Sequence, residues 1–137
     1  MSDHFTLRFR PGVGERLRSH ARRVDLAPRT LAQRYVEEGL RHEDHPLVRF
    51  ADGPSGRRAA LVGSGLDVWE VIATVQANEN QLEPAAALLG LPLGLVQAAV
   101  AYYGEFKQEV DNDIALNDEA WGRGYSAWEA GQRALGR

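Results

Sequence analysis

His4-Phe5-Thr6-Leu7-Arg8-Phe9-Arg10 alternates strictly. Phe5, Leu7 and Phe9 fall on one face and His4, Thr6, Arg8 and Arg10 on the other, the period of two expected of a half-buried strand. Pro11-Gly12 ends it. Val13, Leu17, Ala21 and Val24 then recur at helical spacing, and after a break at Asp25-Leu26-Ala27-Pro28 a second helix carries Leu31, Tyr35, Gly39 and Leu40 on one side. Pro28 suits a first helical position, where its missing N–H is not needed. No second strand lies within this segment. A lone strand leaves its backbone groups unsatisfied, so the pattern predicts pairing with the same strand of a second copy.

Charge sharpens this reading. Through Arg34 the chain carries eight arginines against Asp3, Glu15 and Asp25, although its net charge over 137 residues is -3. Between Arg58 and Lys107 there is no Lys or Arg, while Asp67, Glu70, Glu79, Glu83 and Glu105 are all acidic. A nucleic-acid partner is therefore expected at the N-terminal end, and the middle should repel phosphate.

A strand of this pattern followed by two amphipathic helices resembles the ribbon-helix-helix family of bacterial repressors and antitoxins, over about residues 3–43. In that family two chains pair their strands into a ribbon that enters the major groove of DNA. The resemblance implies that His4, Thr6, Arg8 and Arg10 face the bases. Arg8 has the fork geometry for guanine, and Thr6 can bond a base or touch a thymine methyl. It also implies that the turn Ala27-Pro28-Arg29-Thr30 meets a phosphate. Ala27 stands where the family usually has Ser or Thr, so the capping hydroxyl is lost and the phosphate is assigned to Arg29, with Thr30 beside it.

Pro46 to Phe50 reads as a short strand, Asp52-Gly53-Pro54-Ser55-Gly56 as a turn, and Ala59 to Val62 as a second strand. Asp67 followed by Glu70 looks like a capping box, opening a helix with Val68, Val71, Ile72 and Val75 inward. Glu83 to Leu89 and Leu93 to about Lys107 read as two more helices. The run from Asp52 through Trp69 resembles an uncharacterised domain family of antitoxin-like proteins whose opening glycine-rich turns precede a winged helix-turn-helix; the match spans about residues 46–106. The helix that would read DNA presents Leu93, Gly94, Gln97, Ala98 and Ala101 with no cation, so this module is expected to be a scaffold rather than a second DNA reader.

In the tail, Val110 and Ile114 continue into Trp121, Tyr125, Trp128 and Leu135, among Gly122, Gly124, Gly131 and Gly136. An aromatic stripe among glycines has no core of its own. The tail is expected to be mobile alone and helical on a partner, with Trp121, Tyr125 and Trp128 filling an apolar groove. Arg123, lying between Trp121 and Tyr125 in sequence, is expected to reach partner carboxylates, with Arg133 second. The domains so defined are 1–45, 46–107 and 108–137, and the fold class is mainly α with short β.

Catalytic signatures are scarce, and neither a catalytic residue nor a cofactor is expected. The chain has no cysteine, which removes disulfides, thiolate zinc sites and a cysteine nucleophile and fits a reducing cytosol. His42-Glu43-Asp44-His45 reads as a polar linker rather than a metal site, and Asp111, Asp113, Asp118 and Glu119 as a solvated face. No apolar run approaches about 18 residues and the start Met-Ser-Asp-His lacks a signal pattern, so a cytoplasmic chain away from membranes is expected. Taken with the two resemblances, these features suggest a type II antitoxin: a homodimer through its ribbon that binds operator DNA and inhibits a PIN-domain ribonuclease toxin. The alternative is a dimeric transcriptional regulator without a toxin.

Overall fold

The computed structural model describes residues 3–54 and 56–137. They form a mainly α structure with one small antiparallel sheet. The order is α1 (Val13–Arg23), α2 (Pro28–Asp44), β1 (Val48–Gly53), β2 (Gly56–Leu61), α3 (Val68–Ala77), α4 (Leu82–Leu89), α5 (Leu93–Glu105) and α6 (Lys107–Ala134). The chain divides into two compact units, one ending at Arg41 and the other running from His42 to Arg137.

In the first unit, α1 closes on a Schellman-type turn: the Leu26 N–H donates to the Ala21 carbonyl at 3.0 Å and the Asp25 N–H to that of Arg22 at 3.4 Å. Asp25 occupies the left-handed position, at φ 55°, where glycine is more usual. Among the described residues this unit buries only Ala21 and Leu31 fully. Residues 3–10 carry no strand within the single chain.

The second unit holds the main core. β1 and β2 pair in register from Val48 with Leu61 to Gly53 with Gly56, so the strands extend further into the expected turn region than the apolar pattern indicated. Val48, Leu61, Val68, Val71, Val96 and Tyr102 are among the side chains packed at its centre. Tyr102 stacks 4.7 Å from Phe106 and edge-on to His45 at 5.2 Å, and its hydroxyl donates to Glu109 Oε2 at 2.5 Å. Tyr103 donates to Asp111 Oδ1 at 2.8 Å, which fastens α5 to α6, and Lys107 donates to Asp111 Oδ2 at 2.7 Å within α6. Those two donors hold the Asp111 carboxyl below the usual carboxylate range, the Lys107 bond contributing most.

Two expectations are corrected. His42-Glu43-Asp44-His45 is not a linker: α2 runs through Asp44, His42 Nδ1 meets the Val48 carbonyl at 2.9 Å, and His45 Nε2 meets Glu105 Oε2 at 2.6 Å. Asp67 makes no side-chain cap on α3, because its carboxylate is drawn instead to Arg58 and to the Trp69 indole N–H. The tail, which the sequence allowed to be helical or partly disordered, is one continuous helix through Ala134. Its first turns are anchored by buried Val110 and by Ile114 against the core, and its alanines offset the helix cost of its glycines.

No single helix among the described residues is long and apolar enough to cross a membrane. The α4–α5 pair passes such a test only when joined across a 117° bend, and Ala85, Ala86, Val96, Ala99 and Tyr102 on it are buried in the core.

Replacing Tyr102 tests this core. Tyr102→Ala should cost about 3 to 5 kcal/mol in urea unfolding, as loss of a buried aromatic does. Tyr102→Phe, which deletes only the donor to Glu109, should cost about 1 to 2 kcal/mol.

Candidate functional site

Gly12, at φ 88°, turns the N-terminal segment into α1, and the Val13 N–H donates to the Arg10 carbonyl at 3.2 Å. Beyond that turn His4, Thr6, Arg8 and Arg10 are all exposed. So are their apolar neighbours: Phe5 is 82% and Leu7 61% exposed. Leu7 and Phe9 line an apolar groove of about 450 Å³ together with Val13, Leu17, Tyr35 and Val36. The groove was not foreseen from the sequence. Its signal was the shared apolar face of the alternating stretch and the two helices, but the depth left unfilled depends on tertiary placement.

At the start of α2, the Leu31 N–H donates to the Ala27 carbonyl at 3.1 Å, so Ala27 occupies the capping position without a capping side chain. Arg29 and Thr30 follow in the first turn, both exposed, at positions whose N–H groups have no acceptor within the helix. The basic residues of the first unit stand on the N-terminal segment, on α1 and along α2, with Arg29 at the mouth of α2, where the helix dipole adds a partial positive charge.

Electrostatics in the second unit run the other way. Arg58 Nε sits 2.8 Å from Asp67 Oδ2 as an ion pair lacking hydrogen-bond alignment, and it is the cation set among Asp67, Glu70 and Asp113. Gly53 leaves room for its guanidinium: a Cβ there would come within 2.0 Å of Arg58 Cζ. Burial pushes the Asp113 carboxyl up, and the Glu109 charge pushes it further, while Arg58 partly opposes both. Burial likewise raises Glu70, assisted by the Asp67 charge. The exposed side of α5 carries Leu93, Gly94, Gln97 and Ala101, with Ala98 half-buried, and its charge is the anion Glu105. A surface of this composition offers phosphate nothing to bind.

Trp121, Arg123, Tyr125, Trp128 and Arg133 all lie on α6. Trp121 is 75% and Trp128 58% exposed, and the Tyr125 and Trp128 rings are 5.8 Å apart. At about 100° per residue Arg123 stands roughly 200° round the helix from Trp121. Adjacency in sequence therefore sets it on the side opposite the aromatic line, whereas Arg133 lies roughly 80° from Tyr125. Among the described residues no three His, Asp or Glu side chains converge as ligands to a metal would. The chain matches no protein-family model, no curated protein and no solved structure.

The raised Asp113 carboxyl gives a pH prediction. Its native state binds a proton more readily than its unfolded state, so this group's contribution to stability falls as pH rises through the ordinary carboxylate range towards the raised value. Denaturant unfolding at about pH 3.5 and about pH 6.5, on either side of the ordinary carboxylate range, should show Asp113→Asn gaining on the wild type at the higher pH. An equal difference at both pH values would remove the electrostatic assignment.

Proposed function

We propose that the chain is a dimeric, DNA-binding repressor of the antitoxin type. The observation that carries this reading is the exposed Phe5-Leu7-Phe9 face, which lies beside an open apolar groove in the same unit as an excess of arginine. Pairing residues 4–10 of two copies as antiparallel strands would satisfy their backbones and remove that face from water. It would also gather His4, Thr6, Arg8 and Arg10 of both chains on one outer surface, of a width a major groove admits. Arg29 and Thr30, at the start of α2, would receive flanking phosphates.

The second unit, read as a winged helix-turn-helix, would then serve as a scaffold, consistent with its shortage of cations. Its tail helix would inhibit a PIN-domain ribonuclease toxin, with Trp121, Tyr125 and Trp128 entering an apolar groove and an arginine reaching the metal-binding carboxylates. Arg133, nearer the aromatic side than Arg123, is the better placed of the two for that contact. A regulator without a toxin is the second reading, and the seven-residue spacing of the tail's large side chains favours it, because such a seam suits another copy of the same helix.

Operator binding tests the head. Arg8→Ala should weaken binding to the cognate site by about 1 to 3 kcal/mol and flatten sequence preference. Arg29→Ala should weaken binding to all duplexes alike and reduce the salt slope by about one. Binding that survives deletion of residues 1–10 would refute the ribbon. For the tail, Trp121→Ala should cost about 2 kcal/mol in affinity for a nuclease encoded beside this gene and leave operator binding unchanged. Equal affinity of the variant and the parent chain would separate the toxin from the aromatic line.

A further inference from the structure

Arg22 and Arg23 close α1, and Arg29 is the second residue of α2. The chain between them is held in a tight turn: the Leu26 N–H bonds the Ala21 carbonyl, the Leu31 N–H bonds that of Ala27, and Asp25 is left-handed at φ 55°. Three guanidinium groups are therefore fixed to one corner of the first unit. At about 100° per residue Arg22 and Arg23 stand roughly 100° and 200° round α1 from buried Ala21, and Arg29 stands roughly 200° round α2 from buried Leu31. All three are exposed and point away from the core. Among the described residues none of them meets a carboxylate, whereas Arg41, Arg57 and Arg58 each do. The acid at this corner is Asp25, which the cations outnumber. Like charges gathered in this way repel one another until something of opposite charge covers them.

We propose that Arg22 and Arg23 are phosphate contacts that carry the nucleic-acid surface of the first unit past Arg29, along the backbone of a duplex. The proposal rests on the DNA-binding reading above and adds a further strip of contacts to it. Two features favour a nucleic-acid backbone over an acidic protein surface. The arginines of this unit are spread from the N-terminal segment through α1 to α2, and a duplex, with one charge per about 1.7 Å of axis, can meet cations at that many places. The pair is also continuous with the first turn of α2, whose N–H groups have no acceptor within the helix and suit a phosphate. Every cation of the unit is an arginine, the chain's lysine being Lys107, and the guanidinium fork grips phosphate oxygens in pairs. Phosphates carry no sequence, so Arg22 and Arg23 add affinity and salt dependence and leave base preference to His4, Thr6 and Arg8.

Fluorescence anisotropy of the full chain with a mixed-sequence duplex of about 30 base pairs, titrated from about 50 to about 200 mM salt, tests this. Arg22→Gln combined with Arg23→Gln should weaken binding and lower the slope of log K against log salt by about two or more. Arg22→Lys with Arg23→Lys, which keeps the charges, should leave the slope near that of the parent chain. Arg49→Gln with Arg137→Gln, which removes the same charge from the second unit, should leave it unchanged. Circular dichroism of each variant should retain the parent helix content, and the single substitutions, each lowering the slope by about one, replace the glutamine pair if it does not. A parent slope retained by the glutamine pair, or an equal loss from the Arg49 and Arg137 pair, would overturn the proposal and leave the DNA-binding reading in place. No salt-dependent binding by the parent chain would remove both. Polyglutamate that binds the parent chain but not the glutamine pair, with the DNA slope unchanged, would give the corner to an acidic protein surface instead.

Discussion

Residues 4–10 carry three large apolar side chains and, among the described residues, have no strand to pair with. This constraint shapes the account of the first unit. A backbone in that state is stable in water only while solvated, and its apolar face gains from burial at about 25 cal/mol per Å² removed from water. Two helices with only Ala21 and Leu31 fully buried make a thin core. A second copy supplies the missing strand and the missing cover at once, and the arginines that crowd this unit then face outward together.

The second unit needs no such help. Its core joins the sheet, α3, α4, α5 and the first turns of α6, and Tyr102 links aromatic packing to a carboxylate on α6. Its polar chemistry is dominated by acids, and burial, reinforced by neighbouring carboxylate charges and partly opposed by Arg58, pushes Asp113 and Glu70 towards their protonated forms. The contrast between a basic first unit and an acidic second one is visible in composition. What the second unit leaves unsatisfied is the outer part of α6, where an apolar line continues past the edge of its own core.

Much of this was legible in the sequence. The helices were readable from apolar spacing, from Pro28 inside the start of α2 and from Gly90 after α4, where a left-handed glycine at φ 66° closes the helix. The hairpin was readable from Gly53-Pro54 and Gly56. Other features depend on partners distant in sequence. Asp67 has the spacing of a capping residue, yet Arg58 from β2 competes for its carboxylate and wins. His45 looks like a linker residue until Glu105, Tyr102 and Phe106 are folded around it. The glycines of the tail argued against order, but its first turns borrow stability from a core that local propensity does not register. Arg123 shows the same limit at the candidate site, because neighbours in sequence are nearly opposite one another on a helix.

Amide hydrogen exchange across residues 4–10 of the full chain tests the central claim most directly, since it reads the strand itself and is insensitive to pairing through α6. In an antiparallel two-stranded ribbon each strand bonds on one edge only, so one alternate set of amides should be protected, either Phe5, Leu7 and Phe9 or Thr6, Arg8 and Arg10. That protection should deepen as protein concentration rises. Uniformly fast exchange through the segment, unchanged by concentration, would contradict the account.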